Sequence, residues 1–203
     1  MNFIKHFNLN GHAPLSPSQP AWLRYDDDKA LNYLIAKKAS ERGTRLHAWA
    51  KETIDMRIKQ PRSKKTLYAY VNDAIGFRMD TEVVLYYSPY CWGTADSICF
   101  RDNLLRIHDL KTGTGPVHEE QVLIYAALFC LEYKIRPGDI EMELRIYQND
   151  DVDIIRPTAA DIVPIMDRII YLDKLFTKSL EEGKRDESYI RRNCIIYRIG
   201  FHV

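Results

Sequence analysis

Cysteine is scarce in this sequence, and its four copies are scattered. Cys91, Cys99, Cys130 and Cys194 form no C-x-x-C pair, and their spacing suits neither a zinc site nor an iron–sulfur cluster. They are expected to be buried or incidental thiols in a reducing compartment. Net charge is nearly absent too: 29 Lys and Arg stand against 28 Asp and Glu, for +1. No global field therefore argues for nucleic acid or a membrane as partner, and any basic surface must be local. No apolar run approaches membrane-spanning length. Met1–Asn10 lacks the charged-then-apolar pattern of an export signal. The expected location is therefore the cytoplasm. Repeats, low-complexity stretches and a phosphate-binding G-x-x-x-x-G-K-[ST] loop are also missing, so no motor is expected within the chain.

What is present is ordinary for a globular protein: 203 residues, 46% hydrophobic and 28% charged. That length is enough to bury a core, and one domain over 1–203 is expected. Gly11, Pro14, Pro17 and Pro20 make the first stretch, 1–27, irregular. Asp26-Asp27-Asp28 caps a helical region over Lys29–Lys59, with Leu46, Trp49, Ala50, Ile54 and Ile58 as its apolar stripe. Arg57, Lys59, Arg62, Lys64 and Lys65 surround Pro61 in an exposed connection. A further helix is expected over Thr66–Phe77.

The pattern then turns to strands. Glu82–Tyr87 is β-branched and aromatic, Cys91-Trp92-Gly93 reads as a turn, and Thr94–Phe100 and Leu104–Lys111 flank a tight turn at Asp102-Asn103. After Thr112–Pro116, helical periodicity returns over His118–Tyr133, with Ile124, Ala127, Leu128 and Leu131 buried. Glu141–Gln148 and Val152–Arg156 form a second hairpin around Asn149-Asp150, and a long helix runs over Ala159–Glu182 with Pro164 in its first turns. The last twenty residues carry no clear pattern. This order suggests an α/β or α+β fold with a central mixed β-sheet flanked by helices.

The central hairpin concentrates the chemistry. With Asp102 and Asn103 as turn residues, Asp96 falls opposite Asp109. Like charges opposed across a ladder destabilise it unless a cation or a proton intervenes. Lys111, two residues beyond Asp109, projects from the same face, while His108 projects from the other and is not expected to be a ligand. Ile98, Phe100, Leu105 and Ile107 share the face of Asp109 as core. Paired carboxylates beside a lysine suit metal-assisted hydrolysis: hard oxygens hold Mg²⁺ or Mn²⁺, and the lysine orients water or steadies phosphate charge.

The ordered set Gly43-x-x-x-His47, Glu82, Gly93-x-x-Asp96, Asp109-x-Lys111 and Gln121-x-x-x-Tyr125 resembles the PD-(D/E)XK nuclease superfamily, in its RecB-like and phage-exonuclease branch. The resemblance covers residues 43–125 and implies a restriction-endonuclease-like core. It implies His47, Asp96, Asp109 and the Leu110 carbonyl as metal ligands, Lys111 as the catalytic lysine and Glu82 in support. Gln121 and Tyr125 would line the site and touch DNA phosphate, and Gly43 would lie one turn beneath His47. Cluster-bearing members of this branch carry one cysteine near the N-terminus and three near the C-terminus. Here only Cys194 lies near the end, so no iron–sulfur cluster is expected.

The function expected is therefore a Mg²⁺- or Mn²⁺-dependent DNA exonuclease of recombination, repair or phage DNA metabolism, in a bacterial or phage-infected cell. A recombinase, annealing protein or helicase would be its partner. A structure-selective endonuclease, a non-catalytic DNA-binding module of the same fold and a protein-interaction subunit remain alternatives. Arg42 and Arg45, with the basic connection, are candidate phosphate contacts. Of the aromatics Tyr68, Tyr70, Tyr86, Tyr87, Tyr90 and Trp92, some could stack on unpaired bases, and most are expected to be core or rim packing.

Overall fold

The computed structural model describes residues 20–116 and 118–198, with side chains up to Glu181 except those of Pro20 and Trp22. The irregular first stretch and the final five residues lie largely or wholly outside the described residues. The chain divides into two compact units, Met1–Trp49 and Ala50–Val203.

In the first unit a 3-10 turn, Pro20–Arg24, precedes helix α1, Asp27–Asp55, which continues into the second. Asp26 Oδ1 accepts the Lys29 N–H at 2.8 Å, and Asp27 and Asp28 place negative charge in the first turn. Tyr25 and Tyr33 pack edge to face at 5.8 Å. The helix stops at Asp55, four residues short of the expected end. There Arg57 takes a left-handed φ of 57°, its N–H donates to the Ile54 carbonyl, and the Ile58 N–H donates to that of Thr53. That is the hydrogen-bond pattern of a helix C-terminus, with arginine where glycine is usual. Ile58, expected in the buried stripe, therefore lies beyond the helix and is exposed, whereas Ala50 and Ile54 are buried. The basic connection that follows is exposed, as expected. Helix α2, Thr66–Gly76, ends in the same motif with Arg78 at φ 54°.

Five strands follow in the second unit: β1 Asp80–Ser88, β2 Cys91–Arg101, β3 Leu104–Leu110, β4 Glu141–Gln148 and β5 Asp151–Ile155. They lie side by side in chain order. All neighbours are antiparallel except β3 and β4, whose crossover carries helix α3, Glu120–Tyr133. Mixed sheet and flanking helices match the expected α/β class. Asp102-Asn103 and Asn149-Asp150 all have positive φ, as two-residue hairpin turns require. The expected turn at Cys91-Trp92-Gly93 is wrong. Those residues open β2 and pair with Ser88, Tyr86 and Leu85; the reversal falls at Pro89 and Tyr90.

One sheet face is covered by α3, against which helix α4, Ala159–Arg198, packs; α4 runs past the expected end at Glu182. Thr158 starts α4: its N–H and hydroxyl both donate to Asp161 Oδ2 at 2.8 Å. Leu105, Ile107, Leu144 and Ile146 meet Val122, Ala126, Phe129 and Ile162 there, each large side chain contributing about 1.5–3 kcal/mol on burial. Helix α3 begins two residues later than expected. Its Ile124, expected in the buried stripe, is 38% exposed.

Helix α2 lies against β3 and β4, with a polar network around it. The Tyr147 hydroxyl donates to Asp73 Oδ2 at 2.7 Å and lies 3.2 Å from His108 Nδ1. Arg145 binds Asp73 and Glu143, both at 2.8 Å. Burial, reinforced by Arg145 and Arg106, pushes the His108 imidazole down to about 3, so it is neutral at ordinary pH. No helix of the described residues is long and apolar enough to cross a membrane.

Candidate active site

The site grows from the centre of the sheet, at the C-terminal end of β3. Alternation along β3 sends Leu105, Ile107 and Asp109 one way and His108 the other. Asp109 is 3% exposed. Lys111 reaches back to it, with Nζ 2.9 Å from Oδ2 and 3.2 Å from Oδ1. The same ammonium donates to Gln121 Oε1 on α3. Gln121 Nε2 donates to the Tyr125 hydroxyl at 3.5 Å, and that hydroxyl donates to the Thr94 carbonyl at 2.7 Å. The helical spacing of four puts Gln121 and Tyr125 on one face of α3, where Gln121 meets the lysine and Tyr125 meets Gln121.

Asp96 arrives by a route the sequence does not spell out. The register of β2 with β3 is the expected one, Arg101 opposite Leu104, but backbone pairing ends at Ser97 and His108. The Asp96 carboxylate then replaces the ladder: Oδ2 accepts the Leu110 N–H at 2.8 Å. On the other side, Thr81 pairs with Ser97 and Val83 with Ala95, which brackets Glu82 opposite Asp96 without a pair between them. Glu82 has φ 52°, a left-handed value that costs a non-glycine residue about 1–3 kcal/mol. Ala95 and Ile98 both join the core under α3, although residues three apart in an unbroken strand face opposite ways. The strands thus change phase at this point. One carboxylate oxygen each of Glu82 and Asp96 come within 4.8 Å of one another.

Gly93 is a strand glycine with a reason to be small. A Cβ there would meet Tyr125 Cε1 at 2.9 Å, closer than packed atoms come, and moving the ring aside costs its hydroxyl bond to the Thr94 carbonyl. A strand glycine that admits a close neighbour is a familiar use of the residue.

Tyr70, on α2, was expected among core or rim aromatics. It is 3% exposed, and burial pushes its phenol well above the ordinary tyrosine range, with the charges of Asp96, Glu82 and Asp109 adding to the rise. It is therefore a permanent hydroxyl beside three carboxylates. An aromatic on an apolar helix face gives no sequence signal for that.

The structure brings together Glu82, Asp96, Asp109, Leu110, Lys111, Gln121 and Tyr125, all in the second unit. His47, half-buried, and Arg42 and Arg45, both exposed, stand on α1 within the first unit. Gly43, one turn before His47, is buried. His108 is fully buried beside Phe77 and Tyr147, away from Asp109 as expected. No protein-family model, curated protein or solved structure matches this chain.

Proposed function

We propose that this chain is a Mg²⁺- or Mn²⁺-dependent deoxyribonuclease, an exonuclease of DNA recombination or repair, on a restriction-endonuclease-like core. The observation that carries the reading is the arrangement at the end of β3. Asp109 is buried beside the Lys111 ammonium, Asp96 is held by the Leu110 N–H, and a Glu82 carboxylate oxygen lies within 4.8 Å of one of Asp96. A structural ion pair would need only one carboxylate. Two acidic groups as close as Glu82 and Asp96 repel one another unless a cation or a proton comes between them.

The donor set fits a hard divalent ion, because carboxylate oxygens are what Mg²⁺ and Mn²⁺ prefer. Asp96 and Asp109 would hold it, with Glu82 in support and the Leu110 carbonyl beside them. Such an ion would supply Lewis acidity at the scissile phosphate. The protein's own work is positioning. Gln121 and Tyr125 fix Lys111, whose ammonium can orient the attacking water or meet charge developing on phosphate. The resemblance to PD-(D/E)XK nucleases supports hydrolysis of DNA over other metal chemistry.

Divalent ion is therefore expected to stabilise the fold. At a hundred times its dissociation constant, Mg²⁺ or Mn²⁺ adds about 2.7 kcal/mol. Thermal unfolding with and without ion measures it, and Asp96→Ala should remove the shift. An unchanged midpoint in the wild type would contradict a metal site. His47→Ala in the same series tests the histidine that the resemblance adds as a ligand. Digestion of a linear duplex beside a covalently closed circle separates the exonuclease from an endonuclease, since only the latter cuts the circle.

Gly93→Ala is expected to keep the fold and to lower cleavage about 10–100-fold, the scale of a small misplacement of positioning groups. The new methyl displaces the Tyr125 ring and with it Gln121. Paired activity and urea-unfolding measurements check it; full activity would show that Tyr125 positions nothing.

A further inference from the structure

A groove of about 460 Å³ lies between α3, α4 and the β1–β2 turn, within the size range of small-ligand sites. Its walls are Ile124 and Leu172, with Tyr90 and Phe176 at the edge and Arg168 and Asp173 among them. Tyr90 and Phe176 stand edge to face at 5.8 Å, and both are more than 40% exposed. Among the described residues, Asp173 Oδ1 is buried with no hydrogen-bond partner. A buried carboxylate oxygen in an apolar wall is costly unless something donates to it.

The groove also adjoins the candidate active site along two elements. Ile124 precedes Tyr125 on α3. Cys91, another lining residue, lies two positions before Gly93 on β2 and so on the same strand face, where Gly93 meets Tyr125.

We propose that this groove takes an unpaired base of the DNA strand being cut. This depends on the nuclease reading and narrows its substrate class to ends with single-stranded nucleotides. The lining, apart from the Glu120 carboxylate at its α3 end, matches a base. Its apolar faces suit an aromatic-edged groove. Every unpaired base carries an N–H on its pairing edge, which the Asp173 carboxylate lining the groove can accept. Arg168 offers a positive charge to the flanking phosphate. A paired base hides that edge and cannot enter.

The test measures binding of the full chain in EDTA, by fluorescence anisotropy, to a labelled single-stranded 15-mer, to its blunt duplex, and to single strands with one abasic residue at each position. The single strand is expected to bind about tenfold tighter than the duplex, and an abasic residue at one position should lose about tenfold. Phe176→Ala and Asp173→Leu, each checked for folding by circular dichroism, should flatten the abasic scan. A flat scan in the wild type, alongside metal-dependent cleavage of DNA, overturns the groove assignment and leaves the nuclease reading standing. No binding and no cleavage of any DNA removes both. Self-association of the wild type that Phe176→Ala abolishes, seen by sedimentation, would assign the groove to a second copy and overturn the proposal.

Discussion

Lys111→Ala is expected to lower metal-dependent DNA hydrolysis by about 10²–10³-fold, the loss typical of one charge-stabilising donor at a reacting centre. Asp109→Ala should lose at least as much, because it removes a ligand and the lysine's anchor together. The two differ in stability. Lys111→Ala leaves the Asp109 carboxylate, 3% exposed, without the ammonium that sits 2.9 Å away. A buried charge that loses its ion-pair partner is destabilising, so this variant should unfold earlier than wild type in EDTA and recover more on adding Mn²⁺, which takes over the neutralisation. Asp109→Ala carries no such charge and should gain little from metal. Thermal unfolding of both variants, with and without ion, reads the contrast. Equal metal shifts in the two would mean that Asp109 is not part of the ion's surroundings.

The second large effect lies under α2. Arg145→Ala is expected to destabilise the fold by about 1.5–3 kcal/mol, the range for hydrogen bonds to charged groups; Glu143 keeps Arg106 and Arg156, and Asp73 keeps the Tyr147 hydroxyl. Arg145 binds Asp73 and Glu143 at once, and Glu143 is only 9% exposed. Burial pushes the Glu143 carboxyl up, but the hydrogen bonds and charges of Arg145 and Arg106 outweigh it and hold it below the usual carboxylate value of 4.5. A depressed folded value means stability that is fully present above pH 4.5 and is lost as pH falls through the folded value. Arg145→Ala should weaken that acid dependence as well as the stability at neutral pH. Urea unfolding at pH 7 and pH 4 measures both.

The hairpin at the heart of the fold was readable because its turn residues are specific. Asp102-Asn103 and Asn149-Asp150 tolerate positive φ, and once the first turn is set, the register of β2 and β3 follows. That placed Asp109 and Lys111 on one face and His108 on the other. The parallel step from β3 to β4 follows from a helix between two strands. The β1–β2 turn was misplaced because glycine in Cys91-Trp92-Gly93 signals a turn by composition, while here it serves the close approach of Tyr125, a contact 32 residues away that no local pattern reveals. Ile58 misled for a similar reason, since nothing in Arg57 announces a left-handed helix stop. The approach of Glu82 to Asp96 could not be read from alternation at all, because both strands leave alternation at that point. Tyr70 and the exposed Ile124 depend on which elements pack together, and that is decided by the whole fold.

The most direct measurement is digestion of linear DNA labelled at its 5′ or 3′ end, in Mg²⁺, Mn²⁺ or EDTA, by the wild-type chain beside Asp109→Ala and Lys111→Ala. Degradation that needs the metal and disappears in both variants is the expected result. A wild-type chain that binds this DNA yet leaves every strand intact in either ion would contradict the nuclease and make the chain a DNA-binding module.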